Sequence, residues 1–511
     1  MRCTRIPYTE LPGTSALFGD YLNHFERTAR FYSHDPRDLE SLRRSAAAVR
    51  LGDGRRQQLA AALRRTNGET AALAQLELPD TVAVVTGQQV GLYSGPAYTI
   101  YKALTAVRLA RMLSDSGARA VPVFWLATED HDLDEIDHAW LFDNRQQPVK
   151  LSAQAAGKPG APVGGIEITA APIDELAASL RGFLYADEVL GLVEECYRPG
   201  RTLGQAFREL LQRLLAGYGL IFLDPLDPAI RSLAAPFLAD AYQRRDELLA
   251  RLLERGRELQ QAGYHAQVLV DSGSSLFFRL ENGRRVRIPS GAEAGDPATL
   301  SPNALLRPVM QDFLLPTAAY VGGPAEIAYF AQSQVLYQEL LGRMPLAVPR
   351  AGFTLLDERA RSLMARFAIP VHDCFHGETR LKERISARLI PESLEIAFED
   401  VTSEVRNSID RLYRELHTFD PTLGDSLTRS RGRILYQLDK NRRKAAREAL
   451  RRDKQVDASA SHLSNLVFPE KHLQERLYTI LPFLARHGFD LMDTLFENVQ
   501  PGCLDHQLLA L

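Results

Sequence analysis

The chain has 511 residues, of which 45% are hydrophobic and 24% charged, a composition typical of a folded globular protein of roughly three domain lengths. Its net charge of −3 argues against a polycationic nucleic-acid-binding protein. No apolar run reaches the roughly 18 residues of a membrane span, and no secretory signal is visible. The four cysteines have no CxxC spacing, which predicts neither a zinc ribbon nor a disulfide scaffold. We therefore expect a cytoplasmic protein with no membrane or nucleic-acid partner.

The N-terminal part of the sequence is helical in pattern. Helical spacing of apolar residues covers Leu39–Arg50 and Arg55–Leu76, with glycines between them. Residues 1–75 are thus predicted to form a helical cap on the next domain.

The pattern then changes to short apolar runs that alternate with amphipathic stretches. Thr81–Thr86 and Val121–Leu126 are typical of buried strands, and residues 96–114 between them have helical spacing. Such a unit predicts parallel strands joined by a right-handed crossover. Further strands are expected at Gly219–Leu223, Ala318–Val321 and Leu346–Val348.

These elements predict an α/β fold. A discontinuous, Rossmann-like, doubly wound parallel sheet is expected within residues 76–380. Two insertions interrupt it, at about 135–200 and about 240–300, and the second includes a β-meander over residues 264–290.

The remaining sequence predicts an α-helical coiled-coil hairpin. Six apolar residues recur at three- and four-residue spacing before a break at Asp420–Pro421: Val401, Val405, Ile409, Leu412, Leu416 and Phe419. A second arm follows the break, so residues 381–460 are assigned to an antiparallel hairpin. Residues 461–511 are expected to return as helices and to pack on the core.

A glycine-rich segment follows the first predicted strand and leads into a helix. It reads Thr86-Gly-Gln-Gln-Val-Gly-Leu-Tyr-Ser-Gly-Pro96. Its spacing fits neither a Walker A loop nor a GxGxxG motif, but a helix N-terminus there suits a phosphate or carboxylate. A tight turn that needs glycine is the alternative, and the paired amides favour a binding site. The candidates are Gly87, Gln88, Gln89, Gly91, Gly95, Tyr98 and Lys102.

The second predicted strand runs directly into a group of charged residues. Crowded carboxylates spread their pKa values, and a histidine among them suits acid–base work. The candidate catalytic residues are Asp130, His131 and Asp132, with Trp125 and Glu129 as binding residues. An acidic helix N-terminus over Asp132–Glu135 is the alternative for the end of this segment. No HExxH-like spacing predicts a metal site.

A third segment repeats the geometry of the first. Gly322-Gly323-Pro324 opens a helix after a predicted strand, and Glu326 lies in its first turn. Two glycine-rich strand-to-helix turns in one sheet predict a shared cleft at a topological switch point. Gly322, Gly323 and Glu326 are therefore candidate binding residues.

These segments resemble the BshC family of bacillithiol synthesis. The resemblance lies in VVTGQQVGLYSGPAYTIYKA, VPVFWLATEDHDLDEI, LRPVMQDFLLPTAAYVGGPAEIAYFAQ and FPEKHLQERLYTILPFLARHGFDLMDTLF. It implies a Rossmann-like core with connecting insertions and a coiled coil that supports a homodimer. It also implies that Gly87, Gln88, Gln89 and Tyr98 lie near substrate or phosphate, and that the Asp130–Asp132 group binds the substrate ammonium or acts as acid and base.

The resemblance also implies an activity, the joining of L-cysteine to the amine of glucosaminyl malate or a related amine. An amide formed from a free carboxylate needs activation, so ATP is implied as cosubstrate. Acyl-adenylate or acyl-phosphate activation, and a metal such as Mg²⁺, stay open. Two alternatives also stay open: another nucleotide-dependent transferase or ligase on the same core, and a non-catalytic nucleotide-binding coiled-coil protein.

Overall fold

The computed structural model describes residues 3–288, 292–452 and 454–511. Residues 289–290, at the end of the predicted meander, lie outside the described residues. Two compact units divide the chain: Met1–Thr354 with Glu475–Leu509, and Leu355–Gln474 with Ala510–Leu511. Among the helices described, none combines the length and apolar character needed to cross a bilayer.

A five-stranded parallel sheet lies at the centre of the first unit. Its strands are β1 (Val82–Gln88), β2 (Ala120–Leu126), β3 (Ile221–Leu223), β4 (Thr317–Gly322) and β5 (Leu346–Pro349). They lie side by side in the order β3-β2-β1-β4-β5. The chain moves outward from β1 in both directions, so the topological switch point falls between β1 and β4. The predicted α/β class is confirmed.

Two long helices connect the strands around this switch point. Helix α1 (Tyr98–Asp115) joins β1 to β2, and helix α2 (Pro324–Leu341) joins β4 to β5. Helix α1 is buried along most of its length, and its alanines and leucines pack in one apolar cluster with the valines and alanines of β1 and β4. This packing holds α1 against the sheet, and both helices begin just after the carboxyl end of a strand.

The N-terminal elements are mostly helical, as predicted. The helices are Ala16–Asn23, Phe25–Thr28, Leu39–Ala47, Asp53–Asn67 and Ala71–Glu77, preceded by the strand Cys3–Ile6. The helical pattern predicted over Arg55–Leu76 is divided between two helices. Gly68 ends the first helix with a left-handed φ of 68°, a conformation that glycine adopts without a steric penalty.

The insertions contain both strands and helices. The first holds the strands His138–Phe142, Pro148–Ser152, Gln154–Ala156 and Glu167–Ala170 and the helices Ile173–Leu180 and Ala186–Cys196, before helix Leu203–Leu214 leads to β3. The chain between β3 and β4 holds the helices Pro228–Gln243, Arg245–Gln261 and Arg307–Leu314 and the strands Phe277–Glu281, Arg284–Arg287 and Leu300–Pro302. Residues 132–135 form no helix; they are a turn before the first insertion strand.

The end of the first unit is less helical than predicted. Helices Leu481–His487 and Leu491–Asn498 are followed by the strand His506–Ala510. That strand pairs antiparallel with Cys3–Ile6, with Cys3 opposite Leu509. Such a pairing of the two ends of the chain has no local sequence signal.

The second unit is helical and contains the predicted hairpin. Its helices are Glu358–Arg366, Val371–Cys374, Glu378–Arg388, Glu392–Phe419, Pro421–Arg452 and Lys454–Val467. Asp420 separates the two long arms, as predicted, and its carboxylate accepts a hydrogen bond from Thr422 N at 2.7 Å. The strand Gly352–Leu356 and the short helix Gln474–Leu477 lie at the unit boundaries along the chain.

The apolar stripe of the first arm is only partly covered. Val405, Ile409 and Leu416 are half-buried. Val401, Leu412 and Phe419 are exposed, and Phe419 is 84% exposed. A stripe with this spacing is wider than the contact between two helices, so half of it faces away from the second arm.

Candidate functional site

A cavity of about 600 Å³ lies beyond the carboxyl ends of the parallel strands of the first unit. Strand ends, and the turns after them, contribute side chains from β1, β2, β4 and β5. The switch point of an open α/β sheet is the usual place for a ligand. Ten of the predicted residues line this cavity: Gly87, Gln88, Gln89, Tyr98, Lys102, Trp125, Glu129, Asp130, Gly323 and Glu326.

Five predicted residues do not line the cavity. Gly91 and Gly95 shape the turn after β1, where a Cβ on Gly91 would lie 3.1 Å from Gly95 Cα. Gly322 ends β4, and a Cβ there would lie 3.0 Å from Glu326 Cβ. His131 stands next to the cavity, and Asp132 is exposed. The three glycines therefore allow close backbone packing and do not themselves contact the cavity.

Lys102 holds the turn after β1 in place. Its ammonium donates to Gly87 O at 3.0 Å and to Gln88 Oε1 at 2.8 Å, and it forms an ion pair with Glu326. A lysine has three N–H donors, so these partners occupy all of them. Lys102 lines the cavity as a predicted binding residue, and its three donors hold the glycine-rich turn and Glu326.

Glu326 links this lysine to the N-terminus of α2. One of its oxygens accepts from Gly323 N at 2.8 Å, and the other accepts from the Tyr320 hydroxyl at 2.6 Å. Burial alone would raise the pKa of Glu326, but the Lys102 charge and these hydrogen bonds bring the pKa below its ordinary value. Burial also lowers the pKa of Lys102, against the pull of the Glu326 carboxylate. The two residues form a mostly buried, charge-balanced pair.

A second buried ion pair lies at the end of β5. Arg350 Nη1 and Nη2 donate to the two oxygens of Glu475 at 2.9 and 2.6 Å. The guanidinium is 5.2 Å from the centre of the Tyr98 ring, and Arg350 lines the cavity. This fork is the geometry in which arginine holds a carboxylate most firmly.

The opposite side of the cavity is acidic. Gln89 Nε2 donates to Asp130 Oδ2 at 2.6 Å and to Glu135 Oε2 at 2.7 Å. Its amide nitrogen thereby holds two carboxylates close together. Glu129 is buried and paired with Arg231, and its burial raises its pKa despite that neighbour. Arg285 also lines the cavity and opposes the charges of Glu129 and Asp130, so the part of this side that suits a cationic group of a ligand is the Asp130–Glu135 pair.

His131 contacts the cavity wall through a neighbour. Arg285 Nη1 lies 3.1 Å from His131 Nδ1, and Arg285 Nη2 donates to Pro302 O at 2.7 Å. The His131 ring packs on Phe278, with 5.5 Å between ring centres. Arg285, and not His131, lines the cavity. The histidine is thus placed to orient the arginine.

Two further arginines complete the basic side. Arg307 Nη2 donates to the Tyr329 hydroxyl at 2.9 Å. Arg476 is exposed and has no hydrogen-bond or ion-pair partner among the described residues. Together with the pairs of Lys102 and Arg350, these give a basic side in which cations outnumber carboxylates. No group of three or more His, Cys, Asp or Glu side chains suited to a metal occurs in the described ranges.

Sequence reasoning missed several residues that line the cavity. Arg350 follows a buried parallel strand directly, and that position alone is a signal for a site residue. Arg285 lies on an insertion hairpin, and Arg476 lies more than a hundred residues after β5. No pattern within either segment points to the cavity.

Family models match the chain over nearly all of its length. "Bacillithiol biosynthesis BshC, N-terminal Rossmann-like domain" matches residues 1–295 and 291–351. "Bacillithiol biosynthesis BshC, C-terminal coiled-coil domain" matches residues 353–511. The two models meet close to the boundary between the compact units.

Similar proteins carry the name "Putative cysteine ligase BshC". One from Solibacter usitatus is 51% identical over 100% of this chain and 100% of its own length. One from Koribacter versatilis is 37% identical over 99% of both chains, and one from Salinibacter ruber is 31% identical over 99% of this chain and 98% of its own. A crystal structure from Campylobacter jejuni aligns over 87% of this chain and 98% of its own at 9% identity, with a TM-score of 0.25, which is below the level of a shared fold. By both domain matches and these full-length relatives, the chain belongs to the BshC family.

Proposed function

We propose that the protein is a cytoplasmic, ATP-dependent cysteine ligase that joins L-cysteine to glucosaminyl malate and so completes bacillithiol synthesis. One observation carries the proposal: residues from three separate segments meet in a single cavity with a basic and an acidic side. The names of the full-length relatives support a cysteine ligase. A charge-separated cavity suits a reaction whose substrates carry both ammonium and anionic groups.

The basic side suits the anionic groups of the substrates. Arg307 and Arg476 offer charge there, and the first turn of α2 offers backbone N–H groups without intrahelical acceptors. Phosphate oxygens of ATP and the malate carboxylates share the chemistry that these donors recognise.

The acidic side suits the ammonium group of cysteine. Asp130 and Glu135 are held together by Gln89, whose own carbonyl oxygen remains an acceptor. Of the three predicted catalytic residues, Asp130 is the one that lines the cavity. We assign it to ammonium binding or proton transfer, with His131 acting through Arg285.

ATP fits the cavity by the chemistry of its lining. Gly87 leaves no room for a side chain, because a Cβ there would lie 2.8 Å from Trp125 O. Trp125 and Tyr98 line the cavity, and the indole Nε1 of Trp125 is buried without a hydrogen-bond partner. When bound, ATP supplies the activation that a free carboxylate needs before an amine can form an amide with it. The residues described here bind and orient the reacting groups.

We also propose a homodimer through the hairpin. Exposed apolar side chains are carried by both arms: Leu394, Ile396, Val401, Leu412, Phe419, Leu423, Ile434 and Tyr436. A second copy would cover this surface by the same helix packing that joins the arms. Light scattering at micromolar concentration tests it, and a monomer would contradict the proposal.

Turnover by the purified protein tests the ligase. With L-cysteine, glucosaminyl malate and ATP, mass spectrometry should detect bacillithiol. Formation of AMP and pyrophosphate would indicate an acyl-adenylate, and formation of ADP and phosphate an acyl-phosphate. A deletion strain should lose bacillithiol and accumulate glucosaminyl malate; an unchanged thiol pool rules out this function. ATP turnover with another amine acceptor would favour a different ligase on the same core.

A further inference from the structure

We propose that Glu475 is a positioning residue of the cavity. Its carboxylate binds Nη1 and Nη2 of Arg350. The guanidinium is thereby oriented so that its remaining N–H groups face an anionic group of the substrate at the N-terminus of α2. This inference rests on the proposed function, and it concerns the residue that orients Arg350 on the basic side of the site.

The ion pair between Glu475 and Arg350 is held in one position. The side chains of Arg350 and Glu475 are 3% and 0% exposed. Glu475 Oε2 also accepts from Phe353 N at 2.9 Å, so the backbone after β5 fixes the direction of the carboxylate. Both oxygens of this buried carboxylate therefore have hydrogen-bond donors, which hold the ion pair in one orientation.

Two N–H groups of Arg350 stay unused, that of Nε and one of the two on Nη2, because three of its five donors have an acceptor among the described residues. Nη1 also donates to Ala351 O, and Arg350 N donates to Gly322 O, both at 2.9 Å. Nε has no acceptor among the described residues. A Cβ built on Gly323 would lie 3.7 Å from Nε. The N–H of Nε therefore lies beside Gly323, the residue before α2, at the cavity wall.

An anionic oxygen fits this position. The first turn of α2 adds the backbone N–H groups of Ala325 and Glu326, which have no intrahelical acceptor. The carboxylate of Glu326 is already balanced by Lys102, so it leaves no net negative charge to repel the ligand. A buried guanidinium N–H and a helix N-terminus together recognise a carboxylate or a phosphate.

The C-terminal segment thus contributes to the basic side in two ways. Glu475 orients Arg350 through its two Nη groups. The next residue, Arg476, lines the cavity itself. The anion-binding half of the site requires residues that follow the hairpin in sequence, although the sheet is complete without them.

Two variants separate positioning from simple charge balance. Glu475→Asp keeps the negative charge but shortens the side chain by one methylene, and Arg350→Lys keeps the positive charge but removes the fork. For both, we expect kcat/KM to fall by about 10- to 100-fold through a higher KM for one anionic substrate, because small misplacements carry costs of that order. Glu339→Gln is the matched control, since Glu339 pairs with Arg244 and Arg251 and does not line the cavity; it should match the wild type.

The pattern of KM values decides between sources of the anion. A rise for ATP alone assigns the position to a phosphate, and a rise for glucosaminyl malate alone assigns it to a malate carboxylate. A loss in kcat with unchanged KM values, in proportion to the unfolded fraction seen by circular dichroism, would show a merely structural role and overturn the proposal. Wild-type kinetics in folded Glu475→Asp would overturn it as well.

Binding measurements separate a failure of the ligase proposal from a failure of the positioning role of Glu475. If the wild-type protein forms no bacillithiol, calorimetric binding of ATP and of glucosaminyl malate to the wild type and to Arg350→Lys takes the place of kinetics. Weaker binding of one of the two to the variant supports the positioning role, and equal binding of both overturns it.

Discussion

The ion pairs of the two units differ in how far they are exposed to solvent. In the α/β unit, the Arg350–Glu475 pair is almost fully buried and the Lys102–Glu326 pair is mostly buried. In the hairpin, Arg431 and Asp410 are 38% and 52% exposed at a distance of 2.8 Å. Exposed pairs contribute roughly 0–1 kcal/mol, whereas a buried pair is costly to form and costlier to break. Ion pairs at the cavity therefore fix the positions of the site residues, whereas ion pairs on the hairpin mainly keep its surface polar.

Breaking the lysine pair should have the largest effect. Lys102→Met leaves Glu326 buried without its cation and frees Gly87 O and Gln88 Oε1. We expect a loss of about 3–5 kcal/mol in the free energy of unfolding, measured by urea denaturation, together with loss of ligase activity.

A double variant sharpens this result. Lys102→Met with Glu326→Gln removes both charges, and glutamine still caps the helix at Gly323. Stability should recover largely, while activity should not, because the glycine-rich turn has lost its anchor. Recovery of activity in the double variant would show that the pair only balances charge.

Buried acids should also make the α/β unit sensitive to pH. Burial raises the pKa of Asp312, in helix Arg307–Leu314, from 3.8 to about 6, although Arg343 opposes the shift. The folded chain therefore binds this proton more tightly than the unfolded chain, so the stability it contributes is present below pH 4 and is lost as the pH rises through 6.

Replacing this acid should remove that dependence. Relative to the wild type, Asp312→Asn should gain up to about 3 kcal/mol between pH 4 and pH 7, measured by urea denaturation at both pH values. An equal stability difference at the two pH values would contradict a buried, proton-binding carboxyl group.

Within the cavity, two predicted residues should differ in importance. Gln88 lines the cavity, accepts from Lys102 and donates to the Tyr98 hydroxyl at 3.2 Å. Gln88→Ala should lower kcat/KM by about 100-fold. His131→Ala should lower it by less, because His131 reaches the cavity only through Arg285. Wild-type activity in both folded variants would contradict the assignment of the site to these segments.

The contrast between the units also explains what the sequence can predict. The strands β1 and β2 and the hairpin break at Asp420 follow local rules of apolar spacing and turn chemistry, so they were predictable. The roles of Lys102 and Glu475 depend on partners far away in the sequence. Sequence pattern identified Lys102 as a site residue, but only packing shows that its donors are already occupied.

A substitution in the hairpin should have the smallest effect on stability and activity. Arg431→Ala removes an ion pair between the two arms that is open to solvent on both sides. The change in the free energy of unfolding should stay within about 0.5 kcal/mol, and ligase kinetics should stay at the wild-type level. A cost comparable to that of Lys102→Met would mean that the Arg431–Asp410 pair is buried in the functional assembly. The proposed dimer forms through the hairpin, so the variant would then also dissociate the dimer in light scattering.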